Sequence, residues 1–170
     1  MKIELKNIKH CEFASEETNC FQANIYIDGK REGEANNDGK GGMTFISPAT
    51  LEDKINKYAK TLPPHKFNEL NKNEKCEKIT DLPMDAELVI DQLLCDYLEQ
   101  KDLKRLLGSR FLYTRKDEKG IFQSQKVSKV AMNVLLKDIN RVKVQLKNAG
   151  SILNFLPFAE ATKLFRTNVD

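Results

Sequence analysis

The chain lacks most of the sequence marks that announce a chemistry or a compartment. No apolar run approaches the roughly 18 residues that a bilayer crossing takes. The first residues, Met1-Lys2-Ile3-Glu4-Leu5-Lys6, alternate charge with apolar character, where a secretory leader needs an unbroken apolar stretch. Retention in the cytoplasm is therefore the expectation. The four cysteines, Cys11, Cys20, Cys76 and Cys95, contain no CxxC pair. In a reducing compartment they are expected to stay thiols, with no disulfide framework. Histidine is scarce, with only His10 and His65. GxxxxGK followed by Ser or Thr is missing, and so is GxGxxG between a strand and a helix. RNP, KH and zinc-knuckle motifs are also missing, and no internal repeat or low-complexity tract stands out. These absences remove the common nucleotide-binding, zinc-binding and RNA-reading signatures.

What is present is a globular composition. Hydrophobic residues make up 40% and charged residues 31% of 170 residues. That length suits one domain, or one with an appendage, and buries about two-thirds of the unfolded surface.

Alternation of period two opens the chain. Met1, Ile3 and Leu5 alternate with Lys2, Glu4 and Lys6, and after a polar loop at 14–19 the pattern returns in Phe21, Ala23, Ile25 and Ile27. Asp28-Gly29 predicts a tight hairpin turn with positive φ at both positions. The polar return stretch at 30–36, with Gly33 inside, reads as a short edge strand. A loop at 37–42 and a brief strand at 43–46 follow. Ser47-Pro48 predicts a helix start, with the serine hydroxyl as N-cap and proline at the first helical position. Leu51, Ile55, Tyr58, Ala59 and Leu62 form the apolar stripe of that helix, which Pro63-Pro64 stops. The lysine-rich 65–84 stretch reads as an exposed connection. A second helix is expected from Asp85 through Leu107, kinked near Asp102, with Cys95 in its core and Gly108 as its C′ stop. Residues 111–115 and 121–125 predict a second hairpin. Spacing of three and four from Ala131 to Leu146 predicts one helix over 128–148. A short strand at 151–154 and a final helix after Pro157, with Phe158, Ala161, Leu164 and Phe165 inward, complete the reading. Strands and helices are segregated, so the fold class expected is α+β: an N-terminal antiparallel sheet with its helix over 1–64, the connection over 65–84, and a helical region with a basic hairpin over 85–170, packed as one unit.

Three candidate chemistries follow from the residue types. Gly39-Lys40-Gly41-Gly42 offers backbone N–H groups to a phosphate, or is simply a turn that needs positive φ. His10, Cys11, Cys20, His65 and Cys76 are metal-ligand types, but their spacings match no zinc signature. Glu16, Glu17 and Asp38 are loop carboxylates that would do acid–base work, with Cys20 beside them, only if the fold gathered them in a pocket. No cofactor and no resident metal are expected.

Charge is the most informative feature. Residues 1–85 carry 13 basic and 15 acidic side chains, whereas 86–170 carry 15 and 10. Within 101–147 there are 13 basic residues against 4 acidic. Lys104, Arg105, Arg110, Arg115, Lys116, Lys119, Lys126, Lys129, Arg141, Lys143 and Lys147 lie there, with Phe111, Tyr113 and Phe122 interleaved. Basic side chains attract phosphates by releasing counterions, and exposed aromatics stack on bases. A basic hairpin beside a basic helix would thus grip RNA or an acidic protein surface. A solvated lysine-rich exterior over core aromatics is the plainer alternative.

Several stretches carry a likeness: Phe13-Ala14-Ser15-Glu16-Glu17-Thr18-Asn19-Cys20-Phe21, then Tyr26-Ile27-Asp28-Gly29, then Asn37-Asp38-Gly39-Lys40-Gly41-Gly42, and near the end Ile152-Leu153-Asn154-Phe155-Leu156-Pro157-Phe158-Ala159-Glu160-Ala161. Through them the chain resembles a family of small, uncharacterised bacterial proteins often carried on phages, plasmids and other mobile elements. The chain departs from that family at Lys40, where relatives more often have histidine. The lysine-rich middle and the 128–148 stretch also look particular to this chain. The resemblance implies a setting inside a bacterial host and no activity that transfers to residues. Small mobile-element proteins without enzymatic motifs often disable host machinery, including nucleic-acid-guided immunity. The leading expectation is therefore a non-enzymatic, anti-CRISPR-like binding protein that meets a host defence ribonucleoprotein, through its effector protein or its RNA. A direct RNA- or single-strand-binding accessory protein is the alternative, and a small enzyme built on the loop carboxylates and Cys20 is the third.

Overall fold

The computed structural model describes residues 1–65, 81–146 and 148–169. Most of the expected 65–84 connection lies outside them. At its ends, His65 and Leu82 exchange backbone hydrogen bonds of 2.8 and 3.1 Å. The fold is α+β, with two antiparallel sheets and five α-helices among the described residues. The chain divides into two compact units, Met1–Asp96 and Tyr97–Asp170. The boundary falls inside a helix, after the sequence-based boundary at 85. No helix among the described residues is long and apolar enough to cross a membrane.

In the first unit, β1 (Ile3–His10), β2 (Phe21–Ile27), β3 (Lys30–Asn37) and β4 (Phe45–Ser47) form one antiparallel sheet in that order. Phe21, Ala23, Ile25 and Ile27 are all buried, as their alternation predicts. Asp28 and Gly29 have φ of 49° and 87°, and Ile27 pairs with Lys30, so the two-residue turn forms as expected.

β3 corrects the edge-strand expectation, since it lies between β2 and β4. Its charged side chains and Asn36 misled the reading: Ala35 and Asn37 turn into the core while Asn36 stays exposed. Gly33 is required there. A β-carbon on it would strike the Ser47 carbonyl oxygen and the Leu51 side chain of α1 (Ala49–Ala59). The cap of α1 also differs by one residue: Ser47 stays in β4, and Pro48 takes the N-cap position without a side-chain cap bond. Leu51, Ile55 and Ala59 bury the face of α1 that the sequence predicts.

Helix α2 (Ala86–Leu107) starts where expected, with Asp85 Oδ1 accepting from the Leu88 N–H at 2.8 Å. The helix runs through Asp102 without a break. It ends before Gly108, as expected, without the positive φ common at that position. Ala86, Val89, Ile90 and Leu94 are buried. Cys95 is exposed and corrects its core assignment: it stands roughly 100° around the helix from Leu94.

In the second unit, β5 (Leu112–Arg115) is central, with β6 (Phe122–Gln123) and β7 (Ala149–Ile152) antiparallel on either side. The predicted hairpin is there, with Tyr113 paired to Phe122. The last strand falls two residues before its expected start. The single helix expected over 128–148 is instead two, α3 (Lys129–Leu135) and α4 (Ile139–Gln145). Asp138 makes the break. Its side chain accepts from the N–H groups of Asn140 and Arg141 at 3.0 and 3.2 Å, capping a new helix. A 3-10 turn at Leu153–Phe155 leads to α5 (Phe158–Val169), which has Ala161 fully buried.

Side chains alternate across β5 and so seed two cores. Phe111 and Tyr113 bury with Met132 of α3, Val142 of α4 and Ile152. Leu112 buries with Leu103 of α2, Leu153 and Ala161 of α5. The sheet thus has α3 and α4 on one face and α2 and α5 on the other.

Candidate functional site

The charge imbalance follows the two units. Met1–Asp96 contains 13 basic and 18 acidic residues, a balance of −5, and Tyr97–Asp170 contains 15 and 7, a balance of +8. The candidate basic residues fall into three groups. Lys104 and Arg105 sit on the last turns of α2, and Lys104 Nζ stands 4.8 Å over the Phe158 ring. Arg110, Arg115, Lys116 and Lys119 belong to the β5–β6 hairpin and its approach, with Arg110 donating to Gln123 Oε1 at 2.7 Å. Lys126, Lys129, Arg141 and Lys143 lie before or on α3 and α4. Lys147 lies outside the described residues. Arg115 lies over Phe122, which packs against the core that α3 and α4 share, whereas the Arg110 N–H donates to the Leu106 carbonyl of α2 at 2.8 Å, so the hairpin group borders both of the others.

Ion pairing leaves most of this charge uncompensated. Arg105 pairs with Asp102 and Arg115 with Glu118, both at 3.1 Å. The other eight described members of the set have no ion pair among the described residues. Arg115 is the most constrained, with its guanidinium 4.0 Å over the Phe122 ring. The interleaved aromatics do not form a stacking platform. Phe111 and Tyr113 are buried, and Phe122 is half-buried beneath Arg115, with its ring 6.0 Å from Tyr113. Core packing is what they do.

The glycine loop in the first unit is held by Asn37, which is buried. Asn37 Oδ1 accepts from the Gly39 N–H and the Thr18 hydroxyl, each at 2.8 Å, and Asn37 Nδ2 donates to the Gly42 carbonyl at 2.8 Å. The Gly39 carbonyl in turn accepts the N–H groups of Glu16, Glu17 and Thr18 at 2.9, 3.0 and 3.3 Å. The amides expected to be open to a phosphate are committed: Gly39 to Asn37, Lys40 to Asp38 and Gly41 to Thr18. Gly39 and Gly41 have φ of 87° and 83°, the turn geometry that glycine permits. Glu16, Glu17 and Asp38 are exposed, and Cys20 is half-buried with its N–H on Ser15 Oγ at 2.9 Å. His10 Nε2 lies 3.3 Å from Asn19 Oδ1. Among the described residues no three His, Cys, Asp or Glu side chains are placed to hold a metal.

The concave feature nearby has other walls, which the sequence did not reveal. A cleft of about 160 Å³ is lined by Thr18, Asn19, Phe21, Asn37, Thr44, Asp91 and Cys95. The Thr44 hydroxyl donates to Asp91 Oδ1 at 2.9 Å, and the Thr44 N–H donates to Glu87 Oε1 at 2.7 Å. Burial pushes the Asp91 carboxyl above its ordinary value; the Thr44 hydrogen bond opposes this, and the charges of Glu87 and Asp85 add to it. The signal was the spacing of Glu87, Asp91 and Cys95, four apart and hence on one face of α2. The Thr44 hydroxyl is held on Asp91 and the Thr44 N–H on Glu87, so the cluster ties two elements together. It fastens the approach to β4 onto α2.

Compared with protein-family models, curated proteins and solved structures, the chain matches none of them.

Proposed function

We propose that this protein is a non-enzymatic binding protein of a mobile element, which disables a host nucleic-acid-guided defence complex by seating its C-terminal unit on the effector protein or on the RNA that the effector holds. The observation that carries this reading is the +8 balance of Tyr97–Asp170, with eight basic side chains free of ion pairs among the described residues. Such a surface raises encounter rates with anionic partners and selects against basic ones. With Phe111 and Tyr113 buried, recognition runs through phosphates or carboxylates and does not use base stacking. The mobile-element setting rests on the family resemblance of the sequence.

The test is affinity purification of the full chain from host cells, analysed for both protein and RNA. It is repeated with the triple variant Arg110→Glu, Lys116→Glu, Lys119→Glu. Arg115 is left alone because it packs on Phe122. The expected result is a defined defence complex whose affinity falls at least about tenfold in the variant, with an unchanged melting temperature. Equal binding by the variant and the natural chain would refute the reading.

A further inference from the structure

The outward faces of α3 and α4 carry apolar side chains that stay exposed among the described residues of the second unit. Val130, Val134 and Val144 are 76, 52 and 83% exposed. Each stands two residues from a buried partner, Met132 or Val142, which places it roughly 200° around its helix and pointing away from the core. Val130 and Val134 are one turn apart. Since Met132 and Val142 share one core, both helices turn their valines to the same side of the sheet. Helix stability does not account for them, because β-branched residues are poorer helix formers than the alanine or lysine that would fit the same exposed positions.

The surroundings of these valines are basic and nearly free of acid. Lys129, Lys137, Arg141 and Lys143 flank them without ion pairs among the described residues. From Lys119 to Ala159 the only acidic residue is Asp138, and its side chain is committed to capping α4. An apolar centre with a charged rim is the anatomy of a protein docking surface.

We infer that the α3–α4 face docks a protein whose matching surface is apolar at its centre and acidic at its rim. This rests on the reading above and narrows it: effector protein, and not RNA, is what this face meets. Burying valines against a phosphate backbone gains nothing, whereas burying them against apolar side chains removes area from water at about 25 cal/mol per Å². Symmetric pairing of two copies through this face is disfavoured, because it sets Lys129, Arg141 and Lys143 against their own duplicates.

The experiment measures binding of the full chain to four probes at fixed salt. They are an amphipathic peptide of about 20 residues with leucines on one stripe and glutamates elsewhere, polyglutamate of the same length, an oligouridine, and phosphatidylserine vesicles. The natural chain is compared with Val130→Ser, Val134→Ser, Val144→Ser, and with Val144→Ser alone in case the triple variant loses structure. The expected result is tightest binding to the amphipathic peptide, weakened about tenfold or more in the triple variant and measurably in the single one, while binding to polyglutamate and oligouridine is the same in all three proteins. The inference is overturned if the serine variants hold the peptide as well as the natural chain does. It is equally overturned if oligouridine or vesicles outbind the peptide, or if the natural chain sediments as a dimer that the serine changes dissolve. Binding of oligouridine or polyglutamate as tight as that of the peptide, with the peptide itself held equally by all three proteins, would remove this inference and leave the proposed function standing. Failure of every anionic probe would remove both.

Discussion

Asn154 does more for the C-terminal unit than its side-chain size suggests. Its Oδ1 accepts the Leu112 N–H at 2.9 Å, and its Nδ2 donates to the carbonyls of Leu107 and Arg110 at 2.9 and 2.8 Å. One amide thereby satisfies the end of α2 and the start of β5 together. Leucine, nearly the same size, would leave all three backbone groups without that partner. We expect Asn154→Leu to cost about 3 kcal/mol, read as a drop in the urea midpoint without change in slope. Asn37 plays the equivalent part in the glycine loop. Neither role was legible in the sequence. Asn154 reaches partners 42 to 47 residues away, and pattern reading within one element has no access to such a distance.

Elements were legible where a local rule had a single outcome. β2 and its turn came from alternation and Asp28-Gly29, and α1 from its stripe. Reading failed where two local rules competed. β3 is polar on one face but interior in the sheet, because Gly33 lets Ser47 and α1 approach closely. The 128–148 stretch has helical spacing throughout, but Asp138 caps a fresh helix in the middle of it. The junction of α2 with the approach to β4 was invisible for a further reason: Thr44, Glu87 and Asp91 meet only after folding. That junction is pH-sensitive. Asp91 binds its proton more tightly in the folded chain than in the unfolded one, so stability declines as pH rises through its folded pKa and is recovered on acidification toward the ordinary carboxylate value. The groups facing it are Thr44, Glu87 and Asp85. We expect Asp91→Asn, which keeps an acceptor for Thr44, to be at least as stable as the natural chain at pH 7 and to flatten this part of the dependence. Denaturant midpoints of both proteins between pH 4 and pH 7 check this, and parallel curves would count against it.

At the scale of the molecule, net charge is a poor guide. The chain totals +3, but that figure is the residue of −5 on one unit and +8 on the other. The imbalance is visible in the sequence, and the boundary between the units falls within α2. Binding to polyanions should therefore follow the C-terminal unit and not the total. At pH 8.6, where the whole chain is close to neutral, lysine and arginine remain protonated, since their pKa values lie near 10.4 and above. We expect immobilised heparin to retain the chain at that pH and to release it with salt; passage straight through the column would contradict the idea.

The C-terminal unit carries +8 by itself, so an anionic target draws on it from a distance, before any side chain touches. Raising the ionic strength shortens the reach of that attraction to about 8 Å at physiological salt. Association, more than dissociation, is then the step that salt slows.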